Sequence, residues 1–144
     1  MPISVRTILA AALATLVSAA VSAAVVAQSG TGAPPQTVKD VMTTMTIPAS
    51  DAVFAAASEP PRDERGWAAL GRSAEMLADS GRLLMKPELA RDAGAWMERA
   101  AEMVKEADAT RRLVEAKNRE GLETAGDRVY AVCEACHARY LDQP

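Results

Sequence analysis

The sequence predicts an all-α fold, an antiparallel up-down-up-down four-helix bundle preceded by an N-terminal signal or anchor helix. Three observations predict it. Composition is 49% hydrophobic but only 3% aromatic, and alanine is abundant, which favours helix over sheet on intrinsic propensity. Apolar residues recur at spacings of three and four through four successive segments, the period of one helix face. Short polar or proline-bearing stretches separate the segments, and helices joined by short connections pack as antiparallel neighbours.

Of the 144 residues, 1–27 read as targeting sequence. Arg6 is the one basic side chain before an apolar run from Ile8 to Ala27, and Gln28, Ser29 and Gly30 follow, the order used by export signals. Val25 and Ala27 are small residues three and one before a cleavage point after Ala27. A run of about 20 apolar residues also spans roughly 30 Å of hydrocarbon, so an uncleaved anchor is the alternative. Thr15, Ser18 and Ser22 within the run, and the absence of a basic stop-transfer flank, favour cleavage. Both readings put residues 30–144 outside the cytoplasm, with a membrane involved only if the segment stays uncleaved. Residues 28–36, Q-S-G-T-G-A-P-P-Q, predict a flexible linker, and the domain occupies 37–144.

The first helix is predicted from Thr37 to Ser58, with Val38, Val41, Met42, Met45, Ala49, Ala52, Val53 and Ala56 on its apolar stripe. The stripe passes through Pro48, which lacks an N–H and clashes with the preceding turn, so a kink or short break is expected near Thr44 to Ile47. The second helix starts near Asp63 and ends before Pro87, with its core stripe on Trp67, Leu70, Ala74, Leu77, Gly81 and Leu84. After a link from Lys86 to Asp92, the third places Trp96, Ala100, Met103, Ala107, Thr110 and Val114 inward and Arg99, Glu102, Lys105 and Glu106 outward. A turn around Lys117 to Glu120 leads into the fourth, whose inner face carries Leu122, Ala125, Val129, Val132, Cys136 and Tyr140.

The formal charge is -3, and basic residues are mixed with acidic ones along the helices, so nucleic acid is not an expected partner. No serine, histidine and carboxylate set exists beyond the single His137, and there is no glycine-rich phosphate loop, so no hydrolytic or transfer enzyme is predicted.

Cys133-Glu134-Ala135-Cys136-His137 matches the c-type haem attachment pattern, in which two thiols add to two vinyl groups and the adjacent imidazole binds iron. On a helix, spacings of three and four bring Cys133, Cys136 and His137 to neighbouring parts of one face. Three other chemistries use such residues. A redox-active pair sits at a helix N-terminus, whereas this motif falls near a helix C-terminal end. A zinc site needs a fourth ligand, and with no further cysteine or histidine in the chain a carboxylate would have to complete it, whereas structural zinc sites usually use four sulfur or nitrogen ligands. A disulfide suits an oxidising compartment but leaves His137 without a role. The expected cofactor is one haem c per chain, held by Cys133 and Cys136 with His137 on the iron.

The motif on the last of four helices, V-C-E-A-C-H-A-R-Y-L, resembles the class II c-type cytochromes of the cytochrome c′ family, which are four-helix bundles. The resemblance covers about Thr37 to Leu141, with only the motif and its position specific. It implies a bacterial periplasmic haem protein, often a homodimer, whose first helix supplies the residue facing the second side of the iron. That residue is methionine in some members and a non-coordinating side chain in others. Met42 lies where the family's ligand methionine tends to fall, and Met45, one turn later, is the second choice. Methionine is also a common gap-filler in helical cores. Bis-histidine ligation within the domain is excluded, because His137 is the only histidine.

Trp67 and Trp96 are expected in the core, with packing against the macrocycle as the alternative. Tyr130 and Tyr140 flank the motif, Tyr140 lying near the imidazole or at an exposed helix end, and Arg139 meets a haem propionate or water. Two haem functions follow: an electron carrier with redox partner proteins, or a five-coordinate protein that binds nitric oxide or carbon monoxide. The third reading is a structural bundle without haem, in which the motif match is accidental.

Overall fold

Thr37 opens the first helix with a reciprocal cap. Its Oγ1 accepts the Asp40 N–H at 3.1 Å while the Asp40 carboxylate accepts the Thr37 N–H at 3.0 Å, satisfying two donors that the helix leaves unpaired. The computed structural model describes residues 34–141, so the signal or anchor segment, cleavage after Ala27 and most of the linker lie outside the described residues.

The first helical rod has three parts: α1 (Val38–Val41), a π-helical turn (Met42–Thr46) and α2 (Ile47–Ser58). The break expected ahead of Pro48 is this widened turn. An α-helix continued through Thr44 would press the Pro48 ring against the Thr44 carbonyl, and one extra residue in the turn relieves that conflict without ending the helix.

Helices α3 (Glu64–Leu84), α4 (Ala95–Glu115) and α5 (Arg119–Tyr140) follow. Asp63 caps α3 by accepting the Gly66 N–H at 2.8 Å, and Asn118 caps α5 by accepting the Gly121 N–H at 3.0 Å. Lys117, at φ 50°, takes the left-handed conformation that reverses the chain between α4 and α5, and the Asn118 N–H closes α4 on the Leu113 carbonyl at 2.9 Å.

Four helices therefore build an all-helical unit, and no strand occurs among the described residues. The rod packs on α3 and α5, α3 on α4, and α4 on α5, so the contacts close into a ring around one core. The buried residues of α3 are the predicted stripe from Trp67 to Leu84, joined by Ala78 and Ser80. In α4 they are the predicted stripe from Trp96 to Val114. Leu77 and Leu122 are the largest side chains fully withdrawn from solvent. Burying such a leucine contributes about 1.5–3 kcal/mol.

The outward face predicted for α4 is corrected at two positions. Glu106 is tucked between α4 and α5, where Arg128 donates to its carboxylate at 2.8 Å and Lys105 stands at 3.3 Å. Burial works against its ionised form, but the two cations together hold its carboxyl below the usual range. Arg99 is half-buried and lines a cleft described below.

The α2–α5 contact fixes how deeply α5 sits. A Cβ built on Gly126 would lie 2.8 Å from the Ala57 Cβ, closer than carbon atoms approach. Gly126→Val is expected to force the two helices apart and lower the unfolding free energy by about 1–3 kcal/mol, measured by denaturant titration of the helical circular dichroism.

Candidate functional site

The roll of α5 is set by Leu122, Ala125 and Val129, all buried, and the same face continues into half-buried Cys133 and Cys136, about two turns and one turn before the helix ends. His137 is exposed on the adjoining face. The end of α5 is fastened to the start of α4. The Tyr140 hydroxyl donates to Asp92 Oδ2 at 2.5 Å, and Asp92 also accepts the N–H groups of Gly94 at 2.8 Å and Trp96 at 3.1 Å. The Tyr140 ring meets Trp96 edge-on at 5.0 Å.

The Tyr140 hydrogen bond, with help from the Trp96 N–H, holds the Asp92 carboxyl below its ordinary range. Desolvation, and then the same hydrogen bond, pushes the Tyr140 phenol up. A depressed carboxyl supports the fold above the ordinary carboxylate pKa and loses that support as pH falls through its folded value. Tyr140→Phe removes the largest cause of the depression, so acid unfolding followed by circular dichroism should begin at a higher pH than in the parent chain.

Between the rod, α4 and α5 lies a cleft with about 800 Å³ of space free of protein atoms, part of it open to solvent. Its walls are almost wholly carbon. The rod supplies Met42, Thr46 and Phe54, and α4 supplies Trp96, Ala100 and Met103. From α5 come Tyr130, Cys133, Cys136 and His137, so the two cysteines and the histidine of the motif face one cavity. A second cleft shares Met42, Trp96, Cys136 and His137 with the first and extends past Tyr140 to Lys39 and Arg91.

Desolvation raises the pKa of both thiols, reinforced at Cys133 by Cys136 and opposed at Cys136 by Arg99. That is the reverse of what an attacking thiolate needs, and the pair lies far from the N-terminus of α5. Both cysteines are free thiols. Among the described residues, no group of three or more His, Cys, Asp or Glu side chains is gathered so as to hold a bare metal ion. Two protonated thiols and an imidazole in an apolar cleft suit a flat, mostly apolar cofactor that brings its own metal.

No family model, curated protein or solved structure matches the chain.

The structure separates several residues that the sequence left paired. Met42 lines both clefts, whereas half-buried Met45 lines neither. Trp67 belongs to the core alone, while Trp96 lines both clefts and donates its Nε1–H to the Leu84 carbonyl at 2.6 Å. Tyr130 stands at the first cleft, edge-on to Phe54 at 6.4 Å and 59% exposed. Arg139 lies over the Tyr140 ring, 5.5 Å from its centre, and lines neither cleft.

Thr46, Ser50 and Phe54 also line the first cleft and were not anticipated. With Met42 they form a ladder four residues apart, a second face of the rod. Following that spacing onward from Met42 would have found them. Thr46 is buried, and its Oγ1 has no hydrogen-bond partner among the described residues.

Proposed function

We propose that this chain is a periplasmic mono-haem c-type cytochrome acting as an electron carrier, with Cys133 and Cys136 as the covalent attachment points and His137 as an axial iron ligand. The observation that carries this reading is that all three motif residues line one apolar cleft together with Met42. A haem bound there supplies a one-electron iron couple, and covalent thioether bonds keep it in the protein in either oxidation state. The residues present fit such a group. The walls are apolar, the thiols are protonated and half-buried, and among the described residues Arg99 is the only charged side chain in the first cleft.

The protein's own part is to hold the imidazole and exclude water. The fastening of Tyr140 to Asp92 and Trp96 limits how far the last turn of α5 can swing, which keeps His137 at the cleft. Trp96, 3% exposed, closes the wall that the two clefts share. No enzymatic step is assigned to the chain.

In this reading the rod, α3, α4 and α5 run alternately up and down. The closed ring of helix contacts and the connections 59–63, 85–94 and 116–118 support that topology. The N-terminal run from Ile8 to Ala27 serves as the export signal or the anchor that brings the domain to the periplasm. Among the described residues no helix is long and apolar enough to cross a membrane.

Met42 is the second axial ligand in this proposal. Its position in both clefts, neither of which Met45 lines, favours it over Met45. The reduced protein, produced with the cytochrome c maturation machinery, should show a sharp low-spin α band. Met42→Ala should convert that spectrum to a broad high-spin one and open the iron to carbon monoxide. A parent protein that is already high-spin and binds carbon monoxide would mark the chain as the ligand-binding type instead.

A further inference from the structure

The charges around the two clefts are of one sign. Arg99 lines the first, Lys39 and Arg91 line the second, and among the described residues no carboxylate lines either. Apolar walls with cations at the rim suit a ligand that is apolar over most of its surface and anionic along one edge.

The cations are not equivalent. Arg99 already donates to Glu102 at 2.6 Å. Lys39 and Arg91 are exposed, and neither has an ion-pair partner among the described residues. Their sequence neighbours Asp40 and Asp92 use their carboxylates elsewhere. Asp40 accepts the Gln36 and Thr37 N–H groups, and Asp92 accepts those of Gly94 and Trp96 and the Tyr140 hydroxyl. Arg139, the cation the sequence offered for a propionate, lies over the Tyr140 ring outside both clefts.

We infer that Lys39 and Arg91 receive the two propionate carboxylates of the haem, so that its carboxylate edge is turned toward the second cleft and its apolar edge toward the first. The inference rests on the proposed function and deepens it by assigning the cofactor's orientation. Each exposed pair is a modest interaction. Their consequence is directional: positive charge beside the carboxylates favours the reduced iron, and among the described residues no other free cation lines the site.

The test uses protein matured with covalent haem, comparing the Lys39→Gln, Arg91→Gln double variant with Arg99→Gln. The double variant should shift the resonance Raman bands of the propionate bending modes and lower the midpoint potential, with helicity and covalent attachment unchanged. Arg99→Gln should leave the propionate bands in place. Unchanged bands in the double variant, or bands that move with Arg99→Gln instead, would overturn the orientation while leaving the haem assignment standing. A matured chain carrying no covalent haem would remove the proposed function itself, and this inference with it.

Discussion

Cys133→Ala with Cys136→Ala is expected to yield a helical protein from which acid-acetone extraction removes all colour, whereas the parent keeps its colour in the precipitate. The expectation follows from two separate roles. The core that folds α5 ends at Leu122, Ala125 and Val129, so trimming two half-buried sulfur atoms leaves the ring of helix contacts in place. Attachment depends on both thiols, because each would form one thioether bond to the same cofactor. Any haem left in the variant is held by His137 and the apolar walls alone, and extraction breaks those contacts. A parent that also loses all its colour would show that the cysteines do not bond haem.

Trp96→Ala should lower the stability of the domain by about 3–5 kcal/mol, measured by denaturant titration. Its indole packs in the core at 3% exposure, donates to the Leu84 carbonyl at 2.6 Å and receives the Tyr140 ring edge-on at 5.0 Å. Truncation leaves a cavity, strands a buried carbonyl, which accounts for about 1–3 kcal/mol of that loss where water cannot reach it, and loosens the end of α5. Since Trp96 also walls both clefts, the matured variant should broaden its α band as well as unfold earlier. A loss under 1 kcal/mol would mean that the end of α5 is held by contacts other than these.

Much of the fold was legible because helix periodicity and capping residues are local signals. Asp63 and Asn118 stand immediately before the helices they cap, and the core stripes of α3 and α4 could be read residue by residue. The disturbance at Pro48 was legible as well, since proline's missing N–H must be accommodated wherever it falls inside a helix. That the accommodation is a π-helical turn and not a bend was not, because both relieve the same clash.

The candidate site divides along similar lines. Cys133, Cys136 and His137 were visible from spacing alone, since all three lie on one helix. The rest of the cleft comes from helices far apart in sequence. Thr46 and Ser50 are polar, and a search for apolar stripes passes over them, although they stand with Met42 and Phe54 on one face of the rod. Glu106 was read as outward-facing because it lies off the apolar stripe of α4; only α5 shows that Arg128 covers it. The choice between Met42 and Met45 also depended on tertiary structure, since the register through the π-helical turn decides which of them reaches the clefts.

The measurement that tests the central claim most directly is the intact mass of the denatured chain after production with the cytochrome c maturation machinery. The account predicts the polypeptide mass plus one haem, with the added mass confined to the peptide that contains Cys133 and Cys136. A bare polypeptide mass, from a chain shown to be folded and exported in the same cells, would contradict it.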